Sequence, residues 1–109
     1  FYHSFVDLFY LENKLLGACI YWKETKYYYL DKLFIITKGY GKQMLQEWIE
    51  LKKNKCFLWR TTNQLAKGYY GKHPMVETYF KIDDYIYQGF GRMVWEAEDI
   101  RIIKSAFII

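Results

Sequence analysis

The sequence predicts a single α+β domain: a mixed, mostly antiparallel sheet with a central βαβ unit and one main helix. Three observations carry this. Aromatic and β-branched runs separated by short polar turns occur near both ends of the chain, which is hairpin patterning. Between them lies one segment with three- and four-residue apolar spacing, flanked by two strand-like runs, and a crossover helix of that kind joins parallel strands. The chain has 109 residues, 52% apolar and 26% charged, which fits one folded domain with a small core.

Taken in order, Phe5 to Leu11 reads as a strand and Glu12-Asn13-Lys14 as a turn. Leu15 to Trp22 is a second strand, Lys23 to Lys26 turns again, and Tyr27 to Ile36 is a long third strand. From Lys42 to about Asn54, Met44, Leu45, Trp48, Ile49 and Leu51 form one apolar helical face, and Met44, Leu45 and Trp48 are helix core, not a cofactor box. Lys52, Lys53 and Lys55 suit the negative end of that helix. Cys56 to Arg60 is a short strand, expected to run parallel to Tyr27–Ile36. Thr61 to about Lys67 is polar and begins a loop, Gly68 to Gly71 belongs to a short helix or its end, and His73-Pro74 breaks regular structure, which places His73 in an irregular surface loop. Met75 to Ile82 contains a strand, Asp83-Asp84 is a solvated turn, and Tyr85 to Phe90 is another strand. The tail, Val94 to Ile109, ends in an apolar run and reads as a last strand. Alternating βαβ units are missing, which excludes a Rossmann fold.

Composition narrows the function classes. Net charge is +4, which suits an anionic ligand, but Lys and Arg are dispersed, with no run longer than Lys52-Lys53, so nucleic acid has no basic patch to bind. The 12 Tyr and 8 Phe follow a general Lys-, Ile- and Tyr-rich bias and need not mark stacking sites. Cys19 and Cys56 sit in apolar runs without C-x-x-C spacing, and His3 and His73 are far apart. No metal site is expected, and buried free thiols point to the cytoplasm or another reducing compartment. No apolar run reaches the ~18 residues of a membrane span, and no signal peptide is visible. Residue 1 is Phe, as in a trimmed or processed start.

The strongest functional signal is Gly39-Tyr40-Gly41-Lys42, between the apolar Leu33-Phe34-Ile35-Ile36 and the helix. Strand, glycine loop and helix start together hold phosphates: glycine admits close backbone approach, and the helix presents free N–H groups and its dipole.

Several segments in this order resemble a family. Tyr29-Leu30-Asp31-Lys32-Leu33-Phe34-Ile35, Gly39-Tyr40-Gly41, Gln43-Met44-Leu45, Phe57-Leu58-Trp59-Arg60 and Thr62-Asn63 are similar to the acetyltransferase domain of N-acetylglutamate synthases. That domain belongs to the GCN5-related N-acetyltransferase superfamily. Asn63 and Tyr69 keep the family's six-residue separation, and Tyr85 to Gly91 resembles its aromatic final strand. The likeness spans about residues 27–91. Against the superfamily pattern Q/R-x-x-G-x-G/A, Ile36 stands at the Q/R position and the loop is short. One arginine, Arg60, stands where the family has two, and the N-terminal helices of the fold are reduced or absent before Tyr27.

The resemblance implies acetyl transfer from acetyl-CoA, without a metal, to the amino group of a small acidic substrate, glutamate in the family and so arginine biosynthesis. It implies that Gly39, Tyr40 and Gly41, helped by Lys38 or Lys42, hold the pyrophosphate. Leu33, Phe34 and Ile35 would pair with the pantetheine arm. Tyr69 would protonate the leaving thiolate, and Asn63 would position substrate or water. Lys32 and Arg60 would bind the acceptor's carboxylates. Plainer roles stand beside these: Lys32 and Asp31 as a surface ion pair, Arg60 ending a strand, Tyr69 as a core aromatic, Asn63 as a loop residue. The shortened loop and missing arginine also fit a catalytically weakened CoA-binding or regulatory module of the same fold, forming a homodimer or serving a fused or partner kinase domain. Another amine acceptor, such as a peptide N-terminus or a lysine, is a third reading.

Overall fold

A computed structural model describes residues 3–62, 64–91 and 95–107, with backbone alone at 64–67 and 106–107. The elements run β1 (Ser4–Leu11), β2 (Lys14–Lys23), β3 (Tyr28–Ile35), α1 (Gly41–Lys52), β4 (Phe57–Thr61), α2 (Gln64–Gly71), β5 (Glu77–Ile82), β6 (Tyr85–Phe90) and α3 (Ala97–Phe107). The six strands form one sheet in the order β1-β2-β3-β4-β6-β5. β3 and β4 are parallel across α1, as the crossover requires, and the other neighbours are antiparallel. The β1–β2 and β5–β6 turns each put a non-glycine residue in the left-handed region, Glu12 at φ 57° and Asp83 at φ 54°. The expected mixed sheet around a βαβ unit is therefore the architecture found.

Each face of the sheet has its own core. On one face Cys19, Tyr21, Leu30, Phe57, Trp59 and Phe90 pack against Met44, Leu45, Trp48 and Ile49 of α1. The Trp48 ring meets Phe57 edge-on at 4.8 Å between centroids. The Asp7 carboxylate on β1 accepts hydrogen bonds from the Tyr21 hydroxyl (3.2 Å) and the Trp48 indole (3.1 Å) and pairs with Lys52 at 3.1 Å. This charge-assisted knot ties the edge hairpin to α1. On the other face Tyr29, Leu58 and Tyr87 pack against Ile103 of α3.

Two expectations are corrected. The tail is a helix, not a strand. Ile100 and Ile103 share one side, Glu98 and Asp99 lie in the first turn and Lys104 in the last, the order that a helix dipole favours. The Asp99 carboxylate accepts the backbone N–H of Glu96 at 3.0 Å, half of a capping box, and takes Lys26 at 2.9 Å from the β2–β3 turn. α3, with 11 residues, is nearly as long as the 12-residue α1, so the single main helix has two companions. The polar stretch after β4 is helical from Gln64, earlier than the loop expected there.

Candidate functional site: the cleft between strands β3 and β4

The sheet opens at its centre. β3 pairs with β4 only at Tyr28↔Phe57 and Tyr29↔Leu58. Beyond these, β3 follows β2 to Ile35 while β4 follows β6 to Thr61. The register of β2 against β3 shifts from Tyr21↔Leu30 to Ile20↔Lys32, leaving Asp31 as the extra residue of a bulge. Bulges bend a strand and raise its twist, and this one sits where β3 leaves β4. Among the described residues the inner edge of residues 31–35 therefore has no strand partner, and its backbone groups can receive a peptide-like ligand.

The loop at the head of β3 is tethered to β2. The Leu16 carbonyl accepts the N–H groups of Ile36 (2.8 Å) and Thr37 (3.1 Å), and the Leu15 carbonyl accepts the Thr37 hydroxyl at 2.7 Å. Gly39 then turns at φ +95°, which few side chains tolerate. α1 starts with no side-chain cap on Tyr40 and no acidic residue in its first turn. Its first internal bond runs from the Met44 N–H to the Tyr40 carbonyl at 2.9 Å, so the N–H groups of Gly41, Lys42 and Gln43 precede the ladder. Uncapped N–H groups with the positive end of the dipole form an anion-binding start. Lys38 and Lys42 are exposed beside it.

Tyr69 on α2 reaches this helix start. A Cβ added to Gly41 would lie 2.7 Å from the Tyr69 hydroxyl and would collide with the Ile35 side chain. Glycine at 41 thus lets the end of β3, the helix start and the phenol converge. The Tyr69 hydroxyl is buried and has no hydrogen-bond partner among the described residues. A buried polar group without a partner is costly and therefore uncommon. Burial raises the Tyr69 phenol above its usual value, and the nearby Cys19 adds to this. Cys19 is itself fully buried, its thiol pushed up to about 12, so it stays protonated and free. Tyr70, also about 12 through burial, packs on Trp59 at 4.9 Å and holds α2 against the sheet.

Sheet register divides the expected residues between the two faces. Leu33 is paired with Cys19, and Ile35 reaches Gly41, so both lie on the α1 face with Tyr69. Lys32 is paired with Ile20, Phe34 with Ala18 and Arg60 with Tyr87, which puts these three on the opposite face, around the same opening. Lys32 is exposed. The Arg60 guanidinium lies 4.2 Å from the Tyr85 ring centroid, and its hydrogen bond to Tyr87 works against the rise that burial imposes on that phenol. Asn63 lies outside the described residues.

Two further residues join the site. A small depression between α1 and the end of α2 is lined by Lys42, Leu45, Gln46, Tyr69, Lys72 and His73. His73 is buried at 7% exposure, which corrects its expected place on the surface. Its Nδ1 accepts the Met75 N–H at 3.1 Å. Spacing held a clue, because positions 69, 72 and 73 follow at helical intervals. Among the described residues no cluster of His, Cys, Asp or Glu could hold a metal ion, and no helix is long and apolar enough to cross a membrane.

No protein-family model and no curated protein matches the chain. Solved structures do. A protein from Bacteroides thetaiotaomicron assigned to the GNAT family of acetyltransferases superposes with a TM-score of 0.65 at 19% identity, over 94% of this chain and 69% of that one. An acetyltransferase from Bacillus cereus gives 0.55 at 22% identity over 81% and 71%, and Escherichia coli ElaA gives 0.52 at 14% over 81% and 68%. At these identities the shared property is the fold: the chain has a compact GNAT-like α+β architecture.

Proposed function

We propose that this protein is an acetyl-CoA-dependent N-acetyltransferase acting on a small amine that carries carboxylates, with glutamate the first candidate. The observation that carries the reading is the Tyr69 hydroxyl, which has no hydrogen-bond partner among the described residues and is buried against Gly41 at an uncapped helix start beside the open edge of β3. A buried hydroxyl with no partner among the described residues can donate to a bound ligand, here the leaving thiolate. The residues present fit CoA: N–H donors of the α1 start for the diphosphate, an unpaired strand edge for the amide-bearing arm, and a neutral phenol at their junction. The acceptor would approach from the opposite face, where Lys32 and Arg60 flank the opening. The neutral amine attacks the thioester carbonyl, the C–N bond forms and the C–S bond breaks. The thiolate takes a proton from Tyr69, and the proton that the amine loses passes to water and replaces the one Tyr69 gave, so the turnover balances. The shared fold supports this reading by analogy.

The direct test is thiol release from acetyl-CoA with glutamate and a panel of neutral, acidic and basic amines. Turnover confined to amines without a carboxylate would overturn the acceptor class. No turnover with any amine would overturn the enzyme. One observation favours a second reading, a CoA-binding module with weakened catalysis: Ile36, where the superfamily carries Gln or Arg, is 57% exposed and brings no polar group to the loop. Tight acetyl-CoA binding without turnover would select it.

A further inference from the structure

We propose that Tyr85 and Tyr87 of β6 are positioning residues for the acceptor: they hold the Arg60 guanidinium as a ready-made fork for its carboxylate. The inference rests on the acetyl-transfer reading and adds two residues to its acceptor side. It gives the aromatic strand β6 a part in the chemistry. The last pair between β3 and β4 is Tyr29↔Leu58, so Arg60 stands two residues beyond it, where the strands part. Arg60 is paired with Tyr87, and Tyr85 is two residues from Tyr87 on the same strand. All three side chains therefore share the face opposite Tyr69, and Lys32 lies on that face of β3.

Two contacts hold the guanidinium. It lies 4.2 Å from the centroid of the Tyr85 ring, well within cation–π range. It also donates to the Tyr87 hydroxyl, a bond that partly offsets the rise burial imposes on that phenol. The two tyrosines differ in kind. Tyr87 is 1% exposed and stacks on Phe80 at 4.9 Å between centroids, so its hydroxyl is a fixed point. Tyr85 is 37% exposed beside the β5–β6 turn, so its ring covers the guanidinium rather than filling the core. An unheld arginine gives up rotamer freedom when it binds a carboxylate, whereas one stacked and bonded beforehand has already lost it. Its planar donors match a carboxylate, which accepts two parallel N–H bonds, and a lysine at 60 could neither stack flat nor fork.

Steady-state kinetics with acetyl-CoA and the best carboxylate acceptor of the amine panel, glutamate first, tests this. Tyr85→Leu is expected to raise the acceptor KM about fivefold, with kcat and the acetyl-CoA KM within about twofold of wild type. Tyr85→Phe keeps the ring and should hold the wild-type KM. Tyr87→Phe keeps the packing and loses the hydroxyl, and should raise the acceptor KM about threefold or more. A wild-type acceptor KM in both Tyr85→Leu and Tyr87→Phe overturns the inference and leaves acetyl transfer standing. Equal rises in the two KM values make the effect structural and overturn it as well. Turnover confined to amines without a carboxylate, or no turnover at all, overturns the acceptor reading and this inference with it.

Discussion

At the scale of single residues, Tyr69 and Gly41 decide the matter, because their roles in folding and in chemistry predict opposite signs. Tyr69→Phe removes a hydroxyl that has no partner among the described residues. Its stability is therefore expected to hold or rise slightly, while kcat falls about a hundredfold or more through loss of the proton donor. Calorimetry beside steady-state kinetics checks both, and a lower melting temperature with unchanged kcat would make the hydroxyl structural. Because burial holds the phenol proton above its ordinary range, the alkaline limb of kcat is expected above about pH 10. Gly41→Ala acts through the position of that phenol. Its methyl meets the far ends of the Ile35 and Tyr69 side chains, which must move aside, so stability is expected to change by less than about 1 kcal/mol while cofactor affinity falls. Gly41 was legible in sequence as a loop glycine. That its missing Cβ makes room for Tyr69 was not, because that contact joins residues brought together only when α1 and α2 pack on one face.

At the scale of elements, local signals and tertiary packing divide the credit. Strands and α1 were legible because alternating runs and the Met44-Leu45-Trp48-Ile49 face state their period within a few residues. α3 was missed because its final run, Ala106-Phe107-Ile108-Ile109, reads as a strand. The decisive signal lay upstream, in acids at the helix start and Ile100 with Ile103 one turn apart. Arg60 shows the same limit within β4: the sequence places it at the end of a strand, while register decides that it faces Tyr85 and Tyr87 across the sheet from Tyr69. Asp99 gives the element-scale test. Its carboxyl is held below the usual range by Lys26 first and by the Glu96 N–H second. A carboxyl depressed by folding stabilises above its unfolded pKa, near pH 4, and that contribution is lost as pH falls through the folded value. Asp99→Asn should therefore melt below wild type at pH 7, with the gap closing as the pH falls through the lowered folded value. A constant gap would mean that the charge is not what anchors α3.

At the scale of the whole molecule, the opening between β3 and β4 is the feature that a packed domain would not keep for stability alone. A continuous ladder would satisfy the backbone of residues 31–35, yet the bulge at Asp31 turns β3 away from β4 and leaves that edge to other partners. The sheet is in effect two halves, β1-β2-β3 and β4-β6-β5, joined by two residue pairs and bridged on the α1 face by Trp48 against Phe57. A ligand seated in the opening makes contacts that the unfolded chain cannot, and stabilises the native state by about 2.7 kcal/mol at a hundredfold excess over Kd. In a domain of this size that is a rise in melting temperature on the order of 10 °C or more. The rise should come with slower amide exchange at residues 31–35 and in the first turn of α1, and with little change in the β1–β2 hairpin. Acetyl-CoA is the ligand to use, with acetate and pantothenate as controls that lack the linked phosphates and thioester. Protection confined to other strands, or no shift at millimolar acetyl-CoA, would remove the cleft as the site, because a ligand pairing with that edge must slow the exchange of the amides it covers.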